Sequence, residues 1–264
     1  MSSVLHATRS EIQVFLTAVM FYTRIPCPKW VDHSEEYLNQ ATRYFPLIGG
    51  WVGLASGMVF WLSTFLLPGP VGVVLSMICS ILMTGALHED GFADVCDGFG
   101  GGWTKAKILA IMKDSVVGAY GVIGMVLILL LKFLLLSELA GIFSVQLVVM
   151  VLICAHSISR LGAVLMVYSM KYARENEDGK AKPVAKGISL PSLIVATLFG
   201  TAPLFLLDNY WFFLTIVPIV LTKTYLSYYF KKWIGGYTGD CLGATQQTCE
   251  IIFYLSLLIL WKFI

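Results

Sequence analysis

Residues 118–136 have the sequence GAYGVIGMVLILLLKFLLL, in which Lys132 is the single charged side chain. A helix needs about 20 apolar residues to cross the hydrocarbon core of a bilayer. This stretch therefore predicts a transmembrane helix. Six further runs are apolar enough, or nearly so, to do the same: residues 45–67, 71–87, 142–168, 188–207, 210–230 and 250–264. The predicted fold is an all-α, polytopic integral membrane bundle with about seven transmembrane helices, in a range of six to eight.

The composition supports this fold class. Of the 264 residues, 58% are hydrophobic and 13% are charged, whereas soluble domains average about 45–50% apolar and about 25% charged residues. The composition therefore argues against a soluble globular domain and excludes a disordered chain. The net charge of +2 gives no reason to expect a nucleic-acid partner, and the six cysteines form no CxxC pair. We expect one transmembrane catalytic domain that covers residues 1–264.

The connections between the runs differ in charge. Those near 68–70, 137–141 and 208–209 are short and contain no Lys or Arg, whereas those near 26–44, 88–117, 170–187 and 231–249 are longer and charged. With seven spans, all four charged connections fall on one side, and the positive-inside rule makes that side cytoplasmic. We therefore expect a multi-pass protein of the cell inner membrane, with cytoplasmic active-site loops near 88–117, 170–187 and 231–249.

A shorter apolar run covers residues 12–25 and ends at prolines 26 and 28. It is too short to span comfortably, so an interfacial or re-entrant helix is expected. If it does span, there are eight spans and the N-terminus moves to the other side.

An acidic segment, HEDGFADVCDGFGGG, covers residues 88–102. If the preceding helix continues, Asp90, Asp94 and Asp97 lie at i, i+4 and i+7 and share one face. Three like charges in this arrangement repel one another unless a cation joins them. Mg²⁺ prefers oxygen ligands and usually binds one or two carboxylates together with substrate phosphates. The predicted metal ligands are Asp90, Asp94, Asp97, Asp114 and Glu89; the alternative is a solvated helix end beside a glycine-rich turn.

Other polar residues could complete such a site. Arg160 lies inside a predicted span, where a charged side chain usually faces the bundle interior, and it could bind phosphate bidentately; the alternative is a snorkelling or salt-bridged arginine. His88 could act as a general base or be structural. Asp240 could join the acids or cap the last helix. Lys132 could pair with Glu138.

The sequence resembles the cobalamin synthase family, also called adenosylcobinamide-GDP ribazoletransferase. The resemblance covers nearly the whole chain and rests on several segments in the expected order. They are TRIPCP at 23–28, FPLIG at 45–49, HEDG at 88–91 with Asp94 and Asp97, MKDS at 112–115, Ser159-Arg160, YARE at 172–175 and the glycine-rich segment at 239–244.

The resemblance implies that adenosylcobinamide-GDP reacts with α-ribazole, or its 5′-phosphate, to give adenosylcobalamin, or its 5′-phosphate, and GMP, with Mg²⁺ as cofactor. His88, Asp90, Asp94 and Asp97 are the expected catalytic residues. The expected substrate-binding residues are Arg160, Lys113, Arg24, Asp240 and Gly239. The expected partners are these small molecules and the lipid bilayer. A homo-oligomer and association with other nucleotide-loop assembly enzymes also follow from the resemblance.

Two other functions are weighed against this one. A CDP-alcohol phosphotransferase also has an acidic motif at a membrane face, but Ala93-Asp94 stands where Ala-Arg is expected, and a later Gly-x-x-x-Asp-x-x-x-Asp element is missing. A transporter would use Arg160, Lys132 and Lys223 as a polar pathway. It would be expected to contain internal repeats, and the sequence contains no clear ones.

Overall fold

The computed structural model describes residues 2–31, 34–174, 187–207 and 209–263, with side chains from residue 11 onward. This part of the chain folds into eleven α-helices and three short 3₁₀ turns, and its one β-type pairing is an isolated bridge between Tyr172 and Tyr237. The helices are α1 (Ser2–Tyr22), α2 (Glu35–Ala41), α3 (Phe45–Ser63), α4 (Gly69–Thr84), α5 (Leu87–Gly101), α6 (Lys105–Ile111), α7 (Ala119–Ile142), α8 (Val145–Ser169), α9 (Leu190–Thr201), α10 (Ile216–Ile234) and α11 (Gly239–Trp261).

The prediction of an all-α membrane bundle is confirmed, but the count of seven spans is not. Four continuous helical segments in the described residues are long and apolar enough to cross a membrane: Glu35–Ser63, Ala119–Ile142, Val145–Ser169 and Tyr210–Ile234. The first joins α2 and α3 through a 3₁₀ turn, and the last joins a 3₁₀ turn to α10. Each corresponds to one of the predicted runs. The chain is therefore a multi-pass membrane protein, and the remaining runs have other structures.

The run at 71–87 bends sharply. α4 ends at Thr84, and Gly85 and Ala86 both adopt left-handed backbone conformations, with φ values of 66° and 58°. These two residues turn the chain by 89° into α5. α4 and α5 are long and apolar enough to cross a membrane only when they are taken together as one span. The bend separates an apolar helix from a polar one, so we place α5 outside the spanning helices.

Two other predicted runs also differ from simple spans. The run at 188–207 forms the 12-residue helix α9, followed by a 3₁₀ turn at Ala202–Leu206. The run at 250–264 is only the second half of α11, because that helix begins at Gly239. Much of the predicted loop at 231–249 is therefore helical, and the loop predicted at 88–117 consists largely of α5 and α6. Residues 175–186 of the loop predicted at 170–187 lie outside the described part of the chain.

The short run at 12–25 belongs to α1, whose apolar part is Glu11–Tyr22. This part is shorter than a span, as the sequence predicted. It packs mainly against α2 and α3, and its Val14, Ala18 and Val19 side chains belong to a buried cluster with Phe45 and Ile48 of α3.

The centre of the bundle is the contact between α3 and α8. Gly49, Gly53 and Gly57 repeat every four residues along α3, and a Cβ atom at any of them would collide with α8. Small residues at this spacing allow two helices in a membrane to approach closely. α8 is consequently buried over most of its surface, whereas α7 and α10 are peripheral and expose many apolar side chains.

Candidate active site

The site is built on two helices that cross at glycines. A Cβ atom on Gly91 of α5 would lie 3.0 Å from the Asp240 Cα atom of α11, and a Cβ atom on Gly243 would lie 3.0 Å from the His88 carbonyl oxygen. The absence of side chains at both positions lets the backbones of α5 and α11 touch. This contact places Asp240 beside the acidic face of α5.

The acidic residues of α5 have different environments. Asp90 is exposed, Asp94 is half-buried and Asp97 is buried. The pKa of Asp94 is raised to about 7, first because the carboxyl group is partly buried, and then because Asp240, Asp90 and Asp97 are negatively charged neighbours. Arg174 opposes this shift. A half-buried carboxylate with several acidic neighbours is chemically suited to bind a divalent cation, because the ion would relieve the repulsion.

The first turn of α11 is capped by Thr238. Its hydroxyl oxygen accepts a hydrogen bond from the Cys241 N–H at 3.3 Å, and the hydroxyl group donates to Asp240 Oδ2 at 3.2 Å. The alternative in which Asp240 caps this helix is therefore wrong. Asp240 occupies the first turn, where a negative charge is favoured by the helix dipole.

Arg174 is a site residue that the sequence interpretation did not single out, although the YARE segment contained it. Its Nη2 atom lies 3.5 Å from Asp240 Oδ2. The guanidinium Nε and Nη2 atoms are buried and make no hydrogen bond within the described residues. The Ala173 N–H donates to the Tyr237 carbonyl oxygen at 2.8 Å, so this segment is held next to the start of α11.

Asp97 caps the start of α7. Its Oδ2 atom accepts a hydrogen bond from the Gly118 N–H at 2.7 Å, and its Oδ1 atom accepts one from the Gly121 N–H at 2.8 Å. Both carboxylate oxygens therefore satisfy free N–H groups at the start of α7. This arrangement favours a capping role over the predicted roles of metal ligand and catalytic residue.

Two other predicted metal ligands lie elsewhere. Asp114 follows α6 in an exposed turn, where its Oδ1 atom accepts a hydrogen bond from the Val116 N–H at 3.1 Å. Glu89 is buried and accepts a hydrogen bond from Gln247 Nε2 at 2.9 Å. Across the described ranges, no group of three or more Asp, Glu, His or Cys side chains is arranged to hold a metal ion by itself. The predicted set of five ligands is thus not assembled.

His88 and Arg160 lie in the bundle interior. His88 is separated from Asp90 by about 200° around α5, and its ring stacks on Phe45 with centroids 5.5 Å apart. The Arg160 guanidinium lies over the same Phe45 ring at 5.5 Å and donates to the His156 carbonyl oxygen at 2.8 Å. The geometry favours structural roles for both residues over contact with substrate at the acidic face.

The remaining predicted substrate-binding residues are distributed around this region. The Arg24 side chain lies across Gly85 at the bend between α4 and α5, and the backbone N–H of Arg24 donates to the Met83 carbonyl oxygen at 2.8 Å. Lys113 is exposed just after α6, and Gly239 is the first residue of α11. Of these three, Gly239 lies beside Asp240. The prediction that Lys132 pairs with Glu138 is wrong, because its partner is Glu250.

Comparisons with known proteins identify the family of the chain. The family profile described as "Cobalamin-5-phosphate synthase" matches residues 14–258. A protein of Shewanella sp. (strain W3-18-1) is 44% identical over 94% of this chain and 95% of its own length, and one of Shewanella amazonensis is 44% identical over 96% and 98%. A protein of Shewanella frigidimarina is 42% identical over 94% and 95%.

All three relatives carry the name "Adenosylcobinamide-GDP ribazoletransferase". No solved structure matches significantly. Because the profile covers most of the chain and the relatives are similar over almost their full lengths, the chain belongs to the cobalamin-5-phosphate synthase family and is an enzyme of cobalamin biosynthesis.

Proposed function

We propose that this enzyme joins adenosylcobinamide-GDP to α-ribazole, or to its 5′-phosphate, and releases GMP. In this reaction a ribose hydroxyl oxygen attacks the phosphorus attached to the corrinoid arm, and the bond from that phosphorus to the GMP oxygen breaks. The observation that carries the proposal is the meeting of Asp90, Asp94, Asp240 and Arg174 at the crossing of α5 and α11. The names of the relatives support the choice of substrates.

The carboxylates fit a divalent cation. Mg²⁺ usually takes one or two protein carboxylates and fills its other positions with water and phosphate oxygens, so a site with fewer than three converging side chains is sufficient. Two of the three carboxylates of Asp90, Asp94 and Asp240 would hold it. When bound, Mg²⁺ would neutralise charge on the diphosphate and on the departing GMP.

Arg174 complements the acids. Phosphoryl transfer demands mainly positioning and neutralisation of charge from the protein. A guanidinium group can bind two phosphate oxygens at once, and the Nε and Nη2 atoms of Arg174 have no hydrogen-bond partner in the described residues. We infer that Arg174 holds a phosphate group of adenosylcobinamide-GDP, a role that the sequence suggested for Arg160.

The attacking hydroxyl must lose a proton. A carboxylate at the acidic face is better placed to take it than His88, whose ring is packed in the interior. A positioned general base typically contributes about 10²–10⁴-fold to the rate. We propose that this face lies in the cytoplasm, and the basic residues of the connections support this under the positive-inside rule.

The test is release of GMP by the purified protein in lipid vesicles supplied with both substrates and MgCl₂. We expect Asp94→Asn to lose activity by on the order of 10²-fold. Glu138→Gln is the matched control, because Glu138 is exposed near the end of α7 and outside the site. Wild-type activity in Asp94→Asn at limiting Mg²⁺ would remove Asp94 from the mechanism. Absence of GMP release from the wild-type protein would reject the reaction itself.

A further inference from the structure

A second polar cluster lies inside the bundle, and the proposed reaction does not use it. Its members come from α5, α7, α8 and α11, and each is at least nine-tenths buried. They are Glu89, Lys132, Ser159, Gln246, Gln247, Glu250 and Tyr254. Charged groups inside a membrane bundle are costly and usually have a function, so this cluster requires an explanation beyond packing.

The cluster is centred on Glu250. Its Oε1 atom lies 2.6 Å from Lys132 Nζ and accepts a hydrogen bond from the Tyr254 hydroxyl at 2.9 Å. Its Oε2 atom accepts a hydrogen bond from Gln246 Nε2 at 2.8 Å. Lys132 can only donate, so Glu250 Oε1 is the acceptor in this pair.

From Glu250 the hydrogen bonds continue to α5. Because the Gln246 amide nitrogen donates to Glu250 and to Ser159 Oγ at 3.1 Å, its carbonyl oxygen is left to accept from Gln247 Nε2, at 3.0 Å. The same Gln247 nitrogen donates to Glu89 Oε1 at 2.9 Å. Within the described residues, Glu89 Oε2 has no hydrogen-bond partner. The hydrogen bond from Gln247 is therefore the one that links the Glu89 side chain to α11.

We propose that Lys132, Glu250, Gln246 and Gln247 are positioning residues that fix the rotation of α5 against α11. The crossing itself is formed by Gly91 and Gly243, which have no side chains to interlock. A shift of one residue corresponds to about 100° of rotation, enough to exchange the directions of Glu89 and Asp90. The tie between Gln247 and Glu89 opposes that rotation and keeps Asp90 and Asp94 turned toward Asp240.

This inference rests on the proposed function, because it assumes that the acidic face performs the reaction. Removal of one member of the buried ion pair would leave an uncompensated charge and would destabilise the protein for a reason unrelated to positioning. The informative variant is therefore Lys132→Met/Glu250→Met. It removes both charges together, and replacing a buried pair by apolar residues of similar size is often neutral for stability.

We expect the double variant to retain a melting temperature close to that of the wild type in detergent. We expect its kcat for GMP release to fall by about 10- to 100-fold and the Mg²⁺ concentration for half-maximal activity to rise. Lys132→Arg, which keeps a cation beside Glu250, should retain most of the wild-type activity. Lys223→Met is the matched control, because Lys223 lies on α10 and donates to Ser169 instead.

Gln247→Met interrupts the same chain of hydrogen bonds without changing the ion pair. If the double variant does not fold, the activity of Gln247→Met tests the positioning role instead. A stable variant of either kind with wild-type kcat and Mg²⁺ dependence would overturn the proposal. Loss of stability in both variants would also overturn it, because a structural role would then suffice. Absence of GMP release from the wild-type protein would reject the proposed function, whereas wild-type release together with an unimpaired, stable Gln247→Met variant would reject the positioning alone.

Discussion

At the scale of single residues, acidic side chains that share one helix face have separate tasks. Asp97 faces the same way as Asp94, as its spacing predicted, but its carboxylate caps α7. The sequence could not reveal this, because the N–H groups that it accepts from lie more than twenty positions later in the chain. Periodicity identifies the face that residues share; their partners depend on how the helices pack.

The capping role of Asp97 leads to a prediction about stability. In Asp97→Ala two N–H groups at the start of α7 lose their acceptor, and we expect the free energy of unfolding to fall by about 1–3 kcal/mol. Thermal unfolding in detergent measures this change. Asp90→Ala is the comparison, because Asp90 is exposed on the same helix and its removal relieves repulsion. Equal stability of the two variants would contradict the capping role.

Asp94 leads to a prediction about pH. Its pKa is raised to about 7 in the folded protein, so the folded state binds a proton more tightly than the unfolded state does. Its carboxylate therefore destabilises the fold above pH 7, and the penalty disappears as the pH falls toward 4. In EDTA, Asp94→Asn should raise the melting temperature at pH 8 and have a clearly smaller effect at pH 5. A stabilisation that is the same at both pH values would be inconsistent with this cause.

Arg174 leads to a prediction about substrate recognition. Arg174→Lys keeps the charge but loses the planar donor pair, so we expect kcat/KM for adenosylcobinamide-GDP to fall by about 10-fold or more. The control is Arg43→Lys, since Arg43 pairs with Glu11 at 2.7 Å away from the acids. Wild-type kcat/KM in Arg174→Lys would exclude a bidentate contact with phosphate.

At the scale of helices, hydropathy located the four continuous spans well, because their apolar runs are long. It was less successful for α11, because residues 239–249, which include Gln246 and Gln247, are predicted as part of a loop, and Glu250 is predicted as the start of a span. These side chains are buried, because Lys132 and Glu89 on other helices satisfy them. Hydropathy measures each residue alone and cannot anticipate such partners. The glycine spacing on α3 is a signal that could have predicted its close contact with α8.

The bend between α4 and α5 leads to a pair of predictions of opposite sign. Ala86 has a left-handed backbone, which costs a residue with a Cβ atom roughly 1–2 kcal/mol relative to glycine; Ala86→Gly should therefore raise the melting temperature. Gly85→Ala should lower it, because the new Cβ atom would also collide with the Arg24 side chain. Both are measured by thermal unfolding. Changes of the same sign in the two variants would show that backbone conformation does not control this bend.

At the scale of the whole molecule, α8 is enclosed by its neighbours while α7 and α10 expose apolar faces. The acids, Arg174 and the start of α11 meet at one end of this bundle. The composition predicted the class of fold, and the charged connections predicted which parts of the chain would gather there. The contact between α5 and α11 depends on glycines that no periodic pattern marks, and so the exact set of residues required the structure.

The sidedness of the molecule can be measured directly. Trp103, between α5 and α6, is 82% exposed and belongs to a connection for which we propose a cytoplasmic location because of its charge. We expect Trp103→Cys to react with a membrane-impermeant maleimide in inside-out vesicles and not in right-side-out vesicles, above the background of the native cysteines in the wild type. Labelling only in right-side-out vesicles would reverse the assigned topology.

The 89° bend after α4 also affects how reactants arrive. If α4 follows the bilayer normal, this bend places α5 parallel to the membrane surface. Reactants adsorbed to that surface would then reach α5 by two-dimensional diffusion. A bulky, amphipathic molecule could therefore react there without leaving the membrane–water interface.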